Sequence, residues 1–306
     1  MSSPTIAADP AAKLQRSILP GLLLATCGAI AFSGKAIIVK LAYRYGVDAV
    51  TLIMYRMLFA LPMFLLLSWW AGRGKPPLTR RDIVTIVGLG FSGYYLASFL
   101  DFAGLAYITA SLERLILYLN PTIVLLLGLV VFKRRVNPRQ LIALAVSYCG
   151  VLLVFGHEVT LSGTHVALGA ALVFGSAVSY AIYLVYSGEE VKRLGALRLT
   201  GLATSVACVL CIAQFFILRP VSAMDVAPEV IWLSVLNATL CTFAPVLMVM
   251  MAIERIGATM AAQTGMIGPL STILMGVLIL GEPFTAWVAA GTVLVLAGIW
   301  LLAKSR

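Results

Sequence analysis

The sequence predicts an all-α integral membrane protein: ten transmembrane helices, arranged as a 5+5 inverted repeat around a central cavity. Three observations lead there. Of 306 residues, 61% are hydrophobic and only 11% charged, against about a quarter charged in a soluble domain. The apolar residues fall in ten runs, each near the ~20 residues that cross a bilayer. The second half echoes the first at a spacing of 148 positions. The runs are continuous rather than alternating. A backbone in hydrocarbon must satisfy its own hydrogen bonds, so the runs read as helices and not as barrel strands.

Residues 1–17 form a short tail carrying Lys13 and Arg16. The first run, 18–43, holds Lys35 and Lys40. The stretch "LLATC", ending at Cys27, has the look of a lipoprotein cleavage site, but the run continues well past it and reads as an uncleaved span. The second run, 49–71, holds Arg56 and is followed by the basic "RGKPPLTRR". The third, 83–107, has Tyr94 and Tyr95 at mid-depth and Asp101 farther along. The fourth, "ASLERLILYLNPTIVLLLGLVVF" (110–132), opens with Glu113 and Arg114 and continues through Tyr118 to Pro121. Lys133, Arg134, Arg135 and Arg139 separate it from the fifth, 138–156.

A short loop with His157, Glu158 and His165 begins the second half. The sixth run, 166–187, carries Ser179, Tyr180 and Tyr183, and is followed by Lys192, Arg193 and Arg198. The seventh, 196–218, contains Cys208-x-x-Cys211. Such cysteines in lipid read as small apolar packing. The eighth, 230–253, holds Asn237 and Thr239. Arg255 precedes the ninth, 257–280, with Gln263, Met266 and Pro269. Gly281-Glu282 leads to the tenth, 285–303, and Lys304 and Arg306 close the chain.

The net charge of +10 would suggest nucleic acid on a soluble chain. Here the basic residues alternate by loop, as the positive-inside rule requires. Most flank the even-numbered connections and both termini. The opposite side has only Arg44, Arg114 and Arg219. Both termini are therefore expected in the cytoplasm, with a lipid bilayer and a small-molecule solute as partners and no nucleic acid.

At the 148-residue offset "PTIVLLLGLVVF" lies over "PLSTILMGVLIL", Pro121 on Pro269 and Gly150 on Gly298. Runs 3–5 match runs 8–10 well, whereas runs 1–2 match 6–7 weakly. Five spans per half is odd, so the second half enters from the opposite side. The expected repeats are 18–156 and 166–303. The loops agree: "KRRVNPR" follows the fourth run, and "GEPFTAW", with no basic residue, follows the ninth. Inverted repeats of this kind are a transporter signature. Pro121 and Pro269 each lie about 12 residues into their run, ~18 Å at 1.5 Å per residue. Each removes a helical hydrogen bond, and the matched pair reads as two hinges near the bilayer centre.

Ionisable groups in spans are costly and usually face protein or water. Lys35, Arg56, Asp101, Glu113 and Arg114 all fall between the midplane and the outer surface, which predicts a hydrated cavity opening outward. Asp101, Glu113 and Arg56 are candidates for a proton site or an ion pair, with Arg56 either a structural partner of Asp101 or a ligand contact. Lys40 lies close enough to the surface to snorkel. Candidate solute contacts are Lys35, Tyr94, Tyr95, Glu113, Tyr118, Tyr180, Asn237, Gln263 and Met266. A tyrosine at mid-depth needs a partner or water for its hydroxyl.

The runs 110–132 and "GATMAAQTGMIGPLSTILMGVLILGEPFTAWVAAGTVLVLAGIWLL" resemble the paired EamA-type domains of the drug/metabolite transporter superfamily. Arg56 in "MYRMLFALP" is similar to an arginine the family often carries in its second helix. Gly281-Glu282 is similar to its turn after the ninth. Lys133-Arg134 departs from that pattern in the first half. The resemblance implies ten helices around a central cavity. It also implies an exporter of small amphipathic metabolites in the bacterial cytoplasmic membrane, working by alternating access, with aromatic and other amino acids the nearest likeness.

Other classes lack their parts. No catalytic constellation is present. His157, Glu158 and His165 do not meet metal-ligand spacing, so no metal is expected. There is no phosphate-binding glycine loop, and no cofactor is implied. No like-charged ring marks a channel. The sequence sets no oligomeric state.

Overall fold

The structure, a computed structural model, describes residues 10–132, 137–162, 165–265 and 267–304. The side chains of 10–17, 128–132, 160–162, 189, 254, 257–259 and 262–263 are left out of the description. Among the described residues, nine helices are long and apolar enough to cross a membrane, and a tenth apolar helix is shorter. They are α1 (Ile18–Tyr43), α2 (Ala49–Gly72), α3 (Arg80–Leu105), α4 (Ala110–Leu127), α5 (Pro138–Val159), α6 (His165–Gly188), α7 (Ala196–Leu218), α8 (Pro228–Ile253), α9 (Ile267–Leu280) and α10 (Ala286–Lys304). Ten passages place both chain termini at one end of the bundle, here the terminal end. The other is the far end.

Local chemistry sets the helix starts. Asp48 caps α2, its carboxylate accepting from the Val50 and Thr51 amides and the Thr51 hydroxyl. Thr79 and Asp82 form a reciprocal capping box. That box draws Arg80 and Arg81 into the first turn of α3, so the helix begins three residues before the expected apolar run. Gly281 ends α9 in the left-handed region at φ 73°, where glycine carries no Cβ penalty.

The expected fourth run is not a single helix. The fourth divides into Ala110–Leu117 and Asn120–Phe132 about a turn at Tyr118–Leu119. Pro121 sits in the first turn of the second piece, where its missing N–H costs nothing. In the second half, helix is described through Gly265 and again from Ile267 to Met275, the stretch that carries Pro269. Pro121 thus begins a half-helix.

The packing is symmetric under exchange of the halves. The main pairs are α5 with α10, α2 with α7, α3 with α6, and α1 with α8, joined by α4 against α6 and α1 against α9. Adding five to each index returns the same set. A second signature is independent of packing. A π-helical turn interrupts α3 at Phe91–Leu96 and another interrupts α8 at Thr239–Phe243. Their starts are separated by the repeat offset.

Small residues allow the seams to close. A Cβ on Gly150 would meet the Gly291 carbonyl oxygen at 2.7 Å, and one on Gly291 would meet that of Gly150 at 2.6 Å, so α5 and α10 touch backbone to backbone. Ser176 and Ser179 donate from α6 to the α3 carbonyls of Ala97 and Ser92, both at 2.7 Å. Bonds of this kind average about 0.6 kcal/mol in lipid, so they set register more than stability. Large apolar side chains such as Leu66, Ile217, Leu278 and Val293 face outward, as lipid requires. Trp69 under Arg73 and Trp300 under Lys304 mark the terminal-end interface.

Candidate functional site

The helices other than α5 and α10 enclose a cavity of about 780 Å³. Its lining runs from Lys35, Arg56, Asp101 and Arg114 toward the far end, past Tyr94, Tyr118, Tyr180 and Tyr183, to Ser187, Val191, Ala196 and Ile253 at the terminal end. The outward opening expected from the charge depths is therefore corrected: the charges cap the cavity at its far end, and its lining reaches the terminal end. Depth in the sequence locates a polar cluster, but helix tilt decides which end is open.

The cluster is tightly connected. Lys35 Nζ lies 2.5 Å from Asp101 Oδ2 and 3.5 Å from Glu113 Oε1, which ties α1 to α3 and α4. Arg114 Nε is 3.9 Å from Glu113, donates to Thr272 Oγ1 at 2.9 Å, and its Nη2 donates to the Phe32 carbonyl at 3.2 Å. Glu113 is fully buried and does not line the cavity, while its neighbour Arg114 does. That follows from the ~100° between consecutive helical residues.

Arg56 does not pair with Asp101 as expected, because Lys35 takes that place. Arg56 Nε donates instead to Thr242 Oγ1 at 3.0 Å, and its guanidinium stands 5.1 Å from the Phe102 ring centre. Thr242 in turn donates to the Asn237 carbonyl at 2.8 Å. The π-helical turns place this arrangement. Thr242 lies in the α8 turn and Tyr94 in the α3 turn, at equivalent positions of the two halves, and both line the cavity. Extra residues at such turns push side chains out of helical register, which is why they recur at functional sites.

Three tyrosines form the middle wall. Tyr94 and Tyr183 hydroxyls are 3.2 Å apart, and Tyr183 stacks on Tyr180 with ring centres 5.6 Å apart. Gly93 permits this, since a Cβ there would enter the Tyr183 ring. Tyr118, at the break in the fourth run, donates to the Gly265 carbonyl of the second half at 2.8 Å.

Four lining residues have a buried polar atom with no hydrogen-bond partner: Arg56 Nη1, Asp101 Oδ1, Asn120 Oδ1 and Thr204 Oγ1. Buried polar atoms are almost always partnered, so these are open hydrogen-bonding positions on the cavity wall.

Of the expected contacts, Lys35, Tyr94, Tyr118 and Tyr180 line the cavity. Tyr95 instead packs on Phe91, Asn237 is buried behind Thr242, and Glu113 lies behind the cluster. Gln263 and Met266 lie outside the described residues. Arg114, Asn120, Tyr183, Thr200, Thr204 and Thr242 also line the cavity and were not among the expected contacts. Of these, Arg114, a charge within a span, Asn120, next to the mid-span proline, and Tyr183, on the face of Tyr180, carried a sequence signal.

The far end is closed by further contacts. Glu282 accepts from the Ala110 and Ser111 amides at 2.7 and 3.2 Å and from the Ser111 hydroxyl at 2.8 Å. Glu158 accepts from Thr109 at the same helix start. Tyr43 donates to the Phe102 carbonyl and Arg44 to that of Leu280. A smaller space of about 380 Å³ lies here among Lys40, Tyr43, Thr109 and Glu282. At the terminal end, Lys75 donates to the Leu194 carbonyl and Arg198 to that of Pro76, and Arg193 pairs with Asp82 and Glu190.

The model of the EamA-like transporter family matches residues 19–156 and again 167–304. The two matches are offset by 148 residues, the same spacing as the sequence repeat and the π-helical turns. The chain is 28% identical to the uncharacterized transporter YcbK of Bacillus subtilis (strain 168), over 87% of each chain. It is 23% identical to an uncharacterized transporter of Archaeoglobus fulgidus, over 91% of this chain and 96% of that one. A crystal structure shares the fold with a TM-score of 0.62 at 15% identity, covering 92% of this chain and 95% of the other.

Proposed function

Because the chain belongs to the EamA-like transporter family, we propose that it is a secondary transporter that exports small amphipathic metabolites, amino acids with aromatic or other large side chains foremost, by alternating access. The bilayer is the bacterial cytoplasmic membrane, with the terminal end in the cytoplasm. The observation that carries the reading is the set of unpartnered polar atoms in one apolar cavity. Arg56 Nη1 is a cationic donor; Asp101 Oδ1 and Asn120 Oδ1 are acceptors. A carboxylate and an ammonium on one carbon present the complementary pair. The tyrosine wall and the apolar residues below it receive a side chain, in the usual pattern of few fixed polar groups on an apolar surface.

The charge balance argues against a cationic drug. Lys35, Arg56 and Arg114 outnumber the one carboxylate on the lining, Asp101. A carboxylate gains from that excess and a bare cation does not. The family and its named relatives are transporters, so a membrane enzyme is the lesser reading. The cavity extends to the cytoplasmic end, where an exporter takes up its load.

Counterflow in proteoliposomes tests this. Vesicles loaded with unlabelled phenylalanine accumulate labelled phenylalanine, unaltered, faster than empty vesicles do. A panel of other amino acids, polyamines and cationic drugs ranks the solutes. A chemically modified product would replace the carrier with an enzyme, and counterflow confined to polyamines or drugs would replace the zwitterion.

A further inference from the structure

Glu113 is unlike the other charged groups of the cluster. It is fully buried, and neither carboxylate oxygen accepts a hydrogen bond. One ammonium, Lys35 Nζ, stands 3.5 Å from Glu113 Oε1 and 2.5 Å from Asp101 Oδ2, which brings the two carboxyls together, and Asp101 Oδ1 is likewise without a donor. Two carboxylates so placed cannot both stay ionised at low cost, and an unbonded buried carboxylate is costly by itself. One proton between them supplies the missing donor and removes one charge.

The surroundings limit how firmly that proton is held. From α1, Lys35 touches both carboxyls, and Lys40 lies farther along the same helix, within electrostatic range of Glu113. From α2, Arg56 is within range of Asp101. On α4 itself Arg114 is 3.9 Å from Glu113. Glu158 of α5 and Glu282 beyond α9 are occupied at the start of α4. The cations favour ionised carboxylates, while burial and the second acid favour the shared proton. Asp101 lines the cavity, so water in the cavity reaches one member of the pair.

We propose that the Asp101–Glu113 pair is a proton site, that one proton is held between the two carboxyls, and that a solute ammonium arriving at Asp101 displaces it. This rests on the zwitterion reading above. When the ammonium takes Asp101 Oδ1, the proton passes from the Glu113 carboxyl to cavity water, and the freed carboxylate faces Lys35 and Arg114. Solute enters from the terminal end as a proton leaves to that end. After the cavity reopens to the far side, solute departs and a proton from that side takes its place. The net event is an exchange of one proton for one solute.

The test does not require the natural solute. Full-length protein in nanodiscs is titrated by infrared difference spectroscopy. Wild type is expected to show a protonated-carboxyl band that disappears as pH rises. Glu113→Gln and Asp101→Asn each remove it. Lys35→Met, which leaves both acids in place, raises its midpoint by ~1–3 pH units, the effect of deleting an adjacent opposite charge. Circular dichroism and monodisperse elution establish that each variant is folded. If an acid variant does not fold, the Lys35→Met shift alone decides. No titrating carboxyl band, a band that survives both acid substitutions, or an unmoved midpoint in Lys35→Met overturns the proposal. In weakly buffered solution, phenylalanine should release protons from wild type and none from Glu113→Gln. Absence of phenylalanine binding to wild type, with the band behaving as described, removes the solute reading and leaves the proton site standing. Binding without proton release removes the coupling.

Discussion

Arg56 illustrates what one buried cation asks of its surroundings. Its Nε is bonded to Thr242, its face rests near Phe102, and Nη1 is left toward the cavity. A solute carboxylate at that position completes the guanidinium. Arg56→Lys leaves one compact ammonium that cannot hold Thr242 and a carboxylate in the same fork geometry. The expectation is a loss of solute affinity of at least ~30-fold in both Arg56→Lys and Arg56→Ala, since removing one member of a buried charge pair costs about 2–5 kcal/mol. Equilibrium binding in detergent measures it, and affinity within twofold of wild type would discard the contact. Asp48, in the loop between α1 and α2, gives a pH expectation of a different kind. Burial pushes its carboxyl up, but the Thr51 hydroxyl and amide together with Arg219 outweigh that and hold it below the usual carboxylate range. A carboxylate lowered in the folded state stabilises above its unfolded value and loses that contribution as pH falls through its folded one. Acidification below about pH 4 should therefore weaken the α2 cap, and Asp48→Asn should lose that part of the acid dependence in thermal unfolding curves. Asp48→Ala should cost about 1 kcal/mol, the ordinary worth of a cap. The exposed Arg219 pair adds little.

Helices gave themselves away unevenly. Hydropathy finds α2, α7 and α10 to within a residue, because length and apolarity are all a spanning helix needs. It misses the start of α3, where the capping box recruits two arginines that hydropathy counts as loop. The π-helical turns of α3 and α8 have no hydropathy signature at all, yet they place Tyr94 and Thr242. That is why the tyrosine wall was partly legible while the Thr242 contact to Arg56 was not. Lys35, Arg56 and Asp101 were legible because charge in a span is costly anywhere. Their pairing was not, since it depends on how α1 leans toward α3. Glycines are the converse case, visible in sequence but not ranked by it. Gly150 and Gly291 meet backbone at under 3 Å if given a Cβ, whereas Gly156 in the same helix meets nothing. Gly150→Leu or Gly291→Leu should lower stability by about 1–3 kcal/mol or more through overpacking of the α5–α10 seam. Gly156→Ala should be neutral or mildly stabilising. Thermal unfolding of the three in one detergent checks the ordering, and a Gly156→Ala loss as large as the seam variants would show that the seam is not special.

At the scale of the molecule the two halves share a scaffold but not a gate. Moving Lys35, Arg56 and Asp101 by the repeat offset lands on Tyr183, Thr204 and Val249, so the charged layer at the far end has a neutral, aromatic counterpart toward the terminal end. In a pseudo-symmetric carrier the layer that is closed in one state opens in the other. Among the described residues, the far end holds the Lys35 bridge and the Glu282 cap on α4. Glu282 also occupies the close approach at Gly276, so its carboxylate fixes the α9–α10 turn against the start of α4. Removing it leaves two backbone amides and the Ser111 hydroxyl without their acceptor and frees α4 from that turn. Glu282→Ala should therefore shift the population toward a state open at the far end. A cysteine at Ser98, which lines the cavity near Asp101, reports this. In wild type it should react faster with a membrane-impermeant maleimide added from the terminal side, together with a cysteine at Ser187. In the Glu282→Ala background its labelling from the far side should rise several-fold, while labelling of Ser187→Cys from the terminal side falls. Cysteines at Lys192 and at Glu282 itself serve as side markers and must report opposite compartments. If both markers react from one side, the inverted arrangement is wrong. If they report opposite sides and the Ser98 rates do not move, the Glu282 cap does not hold the far end shut.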